Sequence, residues 1–210
     1  MTQVLVKKKK SRPAVFRKPI SGTPPLYQFT VDDYHRMIDV GILTPDHKVE
    51  LLKGWIVNKM PQNPPHVTTT TILVRWLTRV LSEEGWTVRC QGPITLSDSE
   101  PEPDIVIARG PYTLYTRKHP GPGDILFVIE VGDSSVIADR RNKMPLYAGA
   151  KIPEFWLIDL QSKHAEIYTN PQAGSDPHYK NMVVKSANEA IPLALDGKRI
   201  GDIKVKQLLS

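Results

Sequence analysis

The chain has 210 residues, 40% of them apolar, with 28 Lys and Arg, 22 Asp and Glu, and one cysteine. That length supports one domain with a real core. The lone Cys90 excludes an intrachain disulfide framework and points to a reducing, cytoplasmic compartment, while no apolar run approaches the ~20 residues of a membrane span. The formal charge of +6 comes from one place: residues 1–20 hold Lys7, Lys8, Lys9, Lys10, Arg12, Arg17 and Lys18 and no acid. Residues 21–210 therefore carry 21 basic against 22 acidic side chains. The first twenty residues read as a disordered basic tail, either a solubilising arm or a salt-sensitive attractor of phosphate backbones. They lack the apolar segment and small-residue cleavage site of a secretory signal. Residues 21–210 are expected to form a single domain.

Thr30 is a candidate N-cap for Val31–Val40, whose Asp32 and Asp33 suit a first helical turn, with Gly41 as the stop. Val49 to Met60 reads as a hairpin turning at Lys53-Gly54. The longest proline-free stretch, 66–92, carries Val67, Thr70, Leu73, Val74, Leu77, Val80 and Leu81 at helical spacing. It predicts a helix over about 65–84, weakened at its start by the Thr68–Thr71 run, then a strand over 86–91. Further strands are expected at 103–108 and 124–131. The second is apolar almost throughout, as for a strand covered on both faces. After a polar segment, Pro145 either starts a short helix or kinks a longer one. Strands at 153–160 and 164–170, a Gly/Pro-rich loop at 171–177 and weaker strands near 179–185 complete the chain. This order argues an α/β fold, a mixed central β-sheet flanked by helices.

No P-loop, dinucleotide fingerprint or nucleophile elbow is present. The histidines never pair at zinc-site spacing, and Cys90 reads as a buried, inert thiol. The chemistry concentrates on carboxylates. Asp104 opens one apolar strand, and Glu130 ends the most apolar strand of the chain. A carboxylate buried there needs a cation, strong hydrogen bonds or a raised pKa, and Lys143 follows close enough to supply the charge. Two readings fit. In one, Glu130 and Lys143 form a buried ion pair and Asp104 caps a turn. In the other, the two carboxylates and an intervening carbonyl make an oxygen-rich Mg²⁺ site, with the lysine stabilising charge on a phosphate.

The string Pro103-Asp104, Ile129-Glu130-Val131, Asp139, Lys143, Tyr147 and Glu154 to Asp159 resembles the Uma family of restriction endonucleases. Glu50 to Gly54, Met60-Pro61 and His66 resemble the N-terminal half of that family, so the likeness spans about 27–208. It implies a restriction-endonuclease-like core of the PD-(D/E)xK superfamily. It also implies Asp104 and Glu130 as metal ligands, Glu50 as an additional acidic ligand, and Mg²⁺ as cofactor with Mn²⁺ as substitute. The superfamily usually places its lysine two residues after the second acid, where this chain has Gly132. In the Uma pattern Lys143 matches the lysine. The family tends to carry serine at the Gly132 position, so no hydroxyl is available there. Asp139 matches a recurrent acid that pairs with Lys143 in a helix or touches a second metal. His66 is a candidate phosphate or supporting contact, although packing beside Pro64 and Pro65 explains it equally well.

Glu50 could alternatively be an exposed edge charge. Tyr147, Phe155 and Trp156 read as core, and Arg140 and Arg141 as phosphate contacts or a solvated turn. The expected function is a metal-dependent DNA endonuclease acting through a carboxylate–carboxylate–lysine site, as a homodimer where both strands are cut. The alternative is a catalytically inactive nuclease fold that binds nucleic acid or another partner. Its DNA binding would vanish when residues 1–20 are deleted.

Overall fold

The computed structural model describes residues 26–81 and 85–209; the basic tail and the expected helix end at 82–84 lie outside them. Helix α1 (Val31–Asp39) starts as the sequence predicts. Thr30 Oγ1 accepts the Asp33 N–H at 3.1 Å, and Asp33 Oδ2 accepts the Thr30 N–H at 3.1 Å. Strands β1 (Val49–Leu52) and β2 (Trp55–Asn58) pair across Lys53-Gly54, whose φ angles of +50° and +76° are those of a type I′ turn.

Within the Thr68–Thr71 run of helix α2 (Pro64–Val80), Thr69 is tied to the C-terminal segment, while the buried Thr70 hydroxyl has no partner among the described residues. Thr69 and Thr70 are buried, and the Thr69 hydroxyl donates to the Leu208 carbonyl at 2.5 Å. Thr71 returns its hydroxyl to the Val67 carbonyl.

Six strands form the central sheet in the order β3 (Trp86–Cys90), β4 (Ile105–Arg109), β5 (Ile125–Gly132), β6 (Glu154–Asp159), β7 (His164–Gln172) and β8 (His178–Ser186). Only β5 and β6 run parallel. That pair needs a crossover, supplied by α3 (Val136–Ala138), a π-helical turn at Asp139–Lys143 and α4 (Met144–Gly149). Pro145 thus falls in the first turn of α4, directly after the π-helical turn, where the ordinary i→i−4 ladder is already interrupted.

Every residue of β5 is buried. On one face Phe127, Ile129 and Val131 pack with Leu73 and Leu77 of α2. On the other, Val128 and Leu157 pack with Leu146 and Tyr147 of α4. Cys90 corrects the sequence reading: it ends the edge strand β3 and is exposed.

The sequence reading also missed a last hairpin, β9 (Ala190–Leu195) with β10 (Lys198–Lys204). Its period-2 pattern buries Ile191, Leu193 and Leu195 against the α2 side of the core. Its turn, Asp196-Gly197, has φ angles of +48° and +77°. Pro192 sits in this separate two-stranded sheet, where one missing donor is tolerated. Among the described residues no helix is long and apolar enough to cross a membrane.

Candidate active site

The β4–β5 register builds the site. Ile105 lies opposite Ile129 and Val106 opposite Val128, so one further step sets Asp104 across from Glu130. The Val131 N–H then donates to Asp104 Oδ2 at 2.8 Å. Strand β1 brings Glu50 to the same end. Its Oε2 accepts the Glu102 N–H at 2.9 Å, just ahead of Asp104. The π-turn delivers Asp139 and Lys143 from above, and the N-terminus of α2 delivers His66. Glu50, His66, Asp104, Glu130, Asp139 and Lys143 line one cleft of about 650 Å³.

Lys143 Nζ stands among the acids, 3.1 Å from Glu130 Oε1, 3.9 Å from Asp139 Oδ1 and 4.0 Å from Glu50 Oε1. The Tyr147 hydroxyl donates to the same Glu130 oxygen at 2.5 Å. Ser135 donates to Asp139 Oδ2 at 2.7 Å. His66 Nε2 lies 3.0 Å from Asp104 Oδ2. A carboxylate can only accept, which places the proton on Nε2. His66 Nδ1 is buried with no partner among the described residues.

All four carboxylates are buried: Glu130 is 2% exposed, Glu50 6%, Asp139 6% and Asp104 7%. Burial raises the Glu130 carboxyl well above its ordinary range; Lys143 opposes this, and Asp104 and Asp139 add to it. Burial likewise raises Asp139 against the pull of Lys143 and Ser135. For Lys143, burial alone would favour the neutral amine. Glu130, Glu50, Asp139 and Asp104 override it and hold the ammonium charged, its pKa raised above the usual lysine range.

Several details differ from the sequence reading or escape it. Glu50 is not an exposed edge charge. Tyr147 is core, as expected, yet its hydroxyl serves Glu130, which the apolar periodicity around it does not reveal. Arg140 is engaged within the protein, forking onto Glu166 at 2.6 and 3.2 Å. Asn63, the N-cap of α2, accepts the His66 N–H and donates to Asp133, a cleft acid that no motif singled out. At Gly132 a Cβ would fall 2.5 Å from Val136 Cγ2 and 3.0 Å from Val136 Cα. A side chain at this position, such as the serine of the family pattern, would require Val136 and α3 to shift.

Among the described residues no three His, Cys, Asp or Glu side chains stand together as a ready-made metal cage. The donor set nonetheless fits a hard divalent ion: the acids are all-oxygen donors, and they outnumber the ammonium among them. Both donors to Asp104 fall on Oδ2, and Oδ1 accepts none from the described residues.

A mixed sheet whose strand ends gather buried acids around one lysine has the architecture of a restriction-endonuclease-like protein. A family model described as "Putative restriction endonuclease", Uma2, matches residues 31–199. The chain belongs to this family. Among solved structures it is similar to one described as a "putative nuclease belonging to DUF820" from Anabaena variabilis. The identity is 14% and the TM-score 0.66, over 86% of this chain and 97% of that one. At that identity the likeness concerns the fold. None of the curated proteins matches the chain.

Proposed function

We propose that this protein is a divalent-metal-dependent DNA endonuclease that hydrolyses phosphodiester bonds. The observation that carries the reading is the convergence of Asp104, Glu130 and Glu50 with Lys143 at one end of the sheet. Asp104, Glu130 and Glu50 would hold Mg²⁺, or Mn²⁺ in its place, with Asp139 beside them. A bound ion of this kind polarises the phosphate and lowers the pKa of water.

The residues around that position have separable tasks. Lys143, kept charged by the acids, can move its ammonium onto a phosphate oxygen and stabilise the charge of an in-line displacement. His66 and the Val131 N–H fix Asp104 through Oδ2. Tyr147 fixes Glu130. Lys48 on the cleft wall suits a polyanion, while Lys59 there is paired with Glu102. A double-strand break requires two such sites, so a homodimer belongs to the proposal. So does a cytoplasmic location, which suits the unpaired thiol of Cys90.

The test is incubation with supercoiled plasmid in Mg²⁺ or Mn²⁺. Conversion to nicked or linear DNA, abolished by EDTA and by Glu130→Gln, is the expected result. DNA binding without cutting in either metal would overturn it and leave the non-catalytic binding module. That alternative draws on the same cluster, in which Lys143 already neutralises Glu130.

A further inference from the structure

The sheet register sets Glu130 beside Leu157, and Leu157 beside Glu166. Residues in register on neighbouring strands point to the same face. Glu130 and Glu166 are therefore two acids in one row, two strand spacings or ~10 Å apart. Over that row lies the π-turn. It drops Lys143 onto Glu130 at 3.1 Å and Arg140, three residues earlier, onto Glu166. The second contact is a fork, Arg140 Nη2 to Oε1 at 2.6 Å and Nε to Oε2 at 3.2 Å. Glu166 is 6% exposed and also takes His164 Nε2 at 3.0 Å and the Tyr168 hydroxyl at 2.5 Å. Burial would raise its pKa, but these donors override it and hold the carboxyl below its ordinary range.

From this geometry we infer that Arg140 and Glu166 are positioning residues for the reaction: their fork anchors the π-turn to β7 and so fixes where Lys143 meets Glu130. The inference rests on the nuclease reading for its consequence and on the row of acids for its geometry. A π-turn is a wide turn of helix that recurs at functional sites, and α3 before it has three residues. On its C-terminal side the lysine is held by Leu146 and Tyr147, packed in the core, and by the Tyr147–Glu130 bond; the fork adds the tie on the N-terminal side of the π-turn. A bidentate guanidinium fixes both distance and plane, which one ammonium does not. Arg140 bonds Glu166 and does not line the cleft, so its effect on the site passes through the π-turn that carries Lys143.

The experiment needs neither DNA nor metal. In protein carrying ¹⁵N-labelled lysine, with EDTA, the buried Lys143 ammonium gives a slowly exchanging Nζ resonance, assigned by its loss in Lys143→Arg. Arg140→Gln and Glu166→Gln are expected to broaden or remove that resonance while thermal unfolding stays cooperative. Arg140→Lys restores it in part. In the cleavage assay Arg140→Gln lowers kcat by about 10- to 100-fold, the scale of an ångström-sized misplacement, with KM for DNA unchanged. An unaltered Lys143 resonance in a folded Arg140→Gln protein would overturn the inference, as would the absence of that resonance from the parent. An inactive parent with the predicted resonance behaviour would overturn the nuclease reading alone.

Discussion

Tyr147 donates its hydroxyl to Glu130 Oε1 at 2.5 Å in a fully buried contact between α4 and β5. Glu130 thereby has a neutral donor and the Lys143 cation on the same oxygen. Its burial makes both necessary, since a carboxylate stripped of water and left unpaired costs several kcal/mol. Tyr147→Phe keeps the ring and removes only the donor. Stability should fall by about 1–3 kcal/mol, read from urea unfolding, and Mn²⁺ affinity should fall with it. An unchanged urea midpoint would show that the hydroxyl contributes nothing.

The raised carboxyl of Glu130 makes a signed pH prediction. A group whose folded pKa exceeds its unfolded value leaves the native state holding more protons. Its favourable contribution is complete below the unfolded pKa and is lost as pH rises through the folded one. In EDTA, therefore, the parent should lose stability as pH climbs from the ordinary carboxylate range through the raised range set by burial. Glu130→Gln should flatten that fall. The check is the difference between the two urea midpoints at a series of pH values; a constant difference would contradict the burial argument. By the same linkage, Mn²⁺ should bind more tightly as pH rises through that window, because the ion must displace the proton.

Lys143→Met replaces the ammonium by a side chain of similar length. It leaves Glu130, Asp139 and Glu50 facing one another without their cation, and breaking such a buried pair costs about 3–5 kcal/mol. The expected result is a lower melting temperature in EDTA and a larger rise on adding Mn²⁺ than the parent shows, since the ion then supplies the missing charge. Cleavage is lost in both conditions. Equal Mn²⁺-induced shifts would mean that the lysine and the metal do not share these acids.

Gly132→Ala tests the packing that separates this chain from the family pattern. The added methyl meets Val136 at 2.5 Å on its side chain and 3.0 Å on its backbone. Relief requires α3, which leads into Asp139 and Lys143, to move. A loss of about 1–3 kcal/mol is expected from such overpacking, measured by urea unfolding. Stability equal to the parent would show that α3 shifts freely.

Much of this arrangement is legible in the chain itself. An apolar strand ending in Glu130, an acid opening the neighbouring strand and a lysine soon after require one another, because a buried carboxylate must find a partner. The Lys53-Gly54 turn announces the hairpin that carries Glu50. What stays hidden is what depends on strand register. Glu166 becomes a partner of Arg140 only when β5, β6 and β7 are aligned, and no sequence spacing relates residues 140 and 166. Tyr147 hides because its ring satisfies the apolar pattern and its hydroxyl leaves no trace in it. The β9–β10 hairpin was readable from the Ile191, Leu193, Leu195 alternation and Asp196-Gly197; Pro192 inside that run obscured it. The threonines of α2 weaken the helix by propensity, and the packing of Leu73 and Leu77 against β5, with the Thr69–Leu208 bond, offsets this.

The central claim is that Asp104, Glu130 and Glu50 hold a divalent ion. Calorimetric titration of Mn²⁺ into the parent and into Asp104→Asn tests it most directly, with no need to choose a DNA. The account predicts saturable binding by the parent, in the micromolar to millimolar range, that Asp104→Asn loses while remaining folded. Equal binding by both proteins, or none by the parent up to millimolar Mn²⁺, would contradict it.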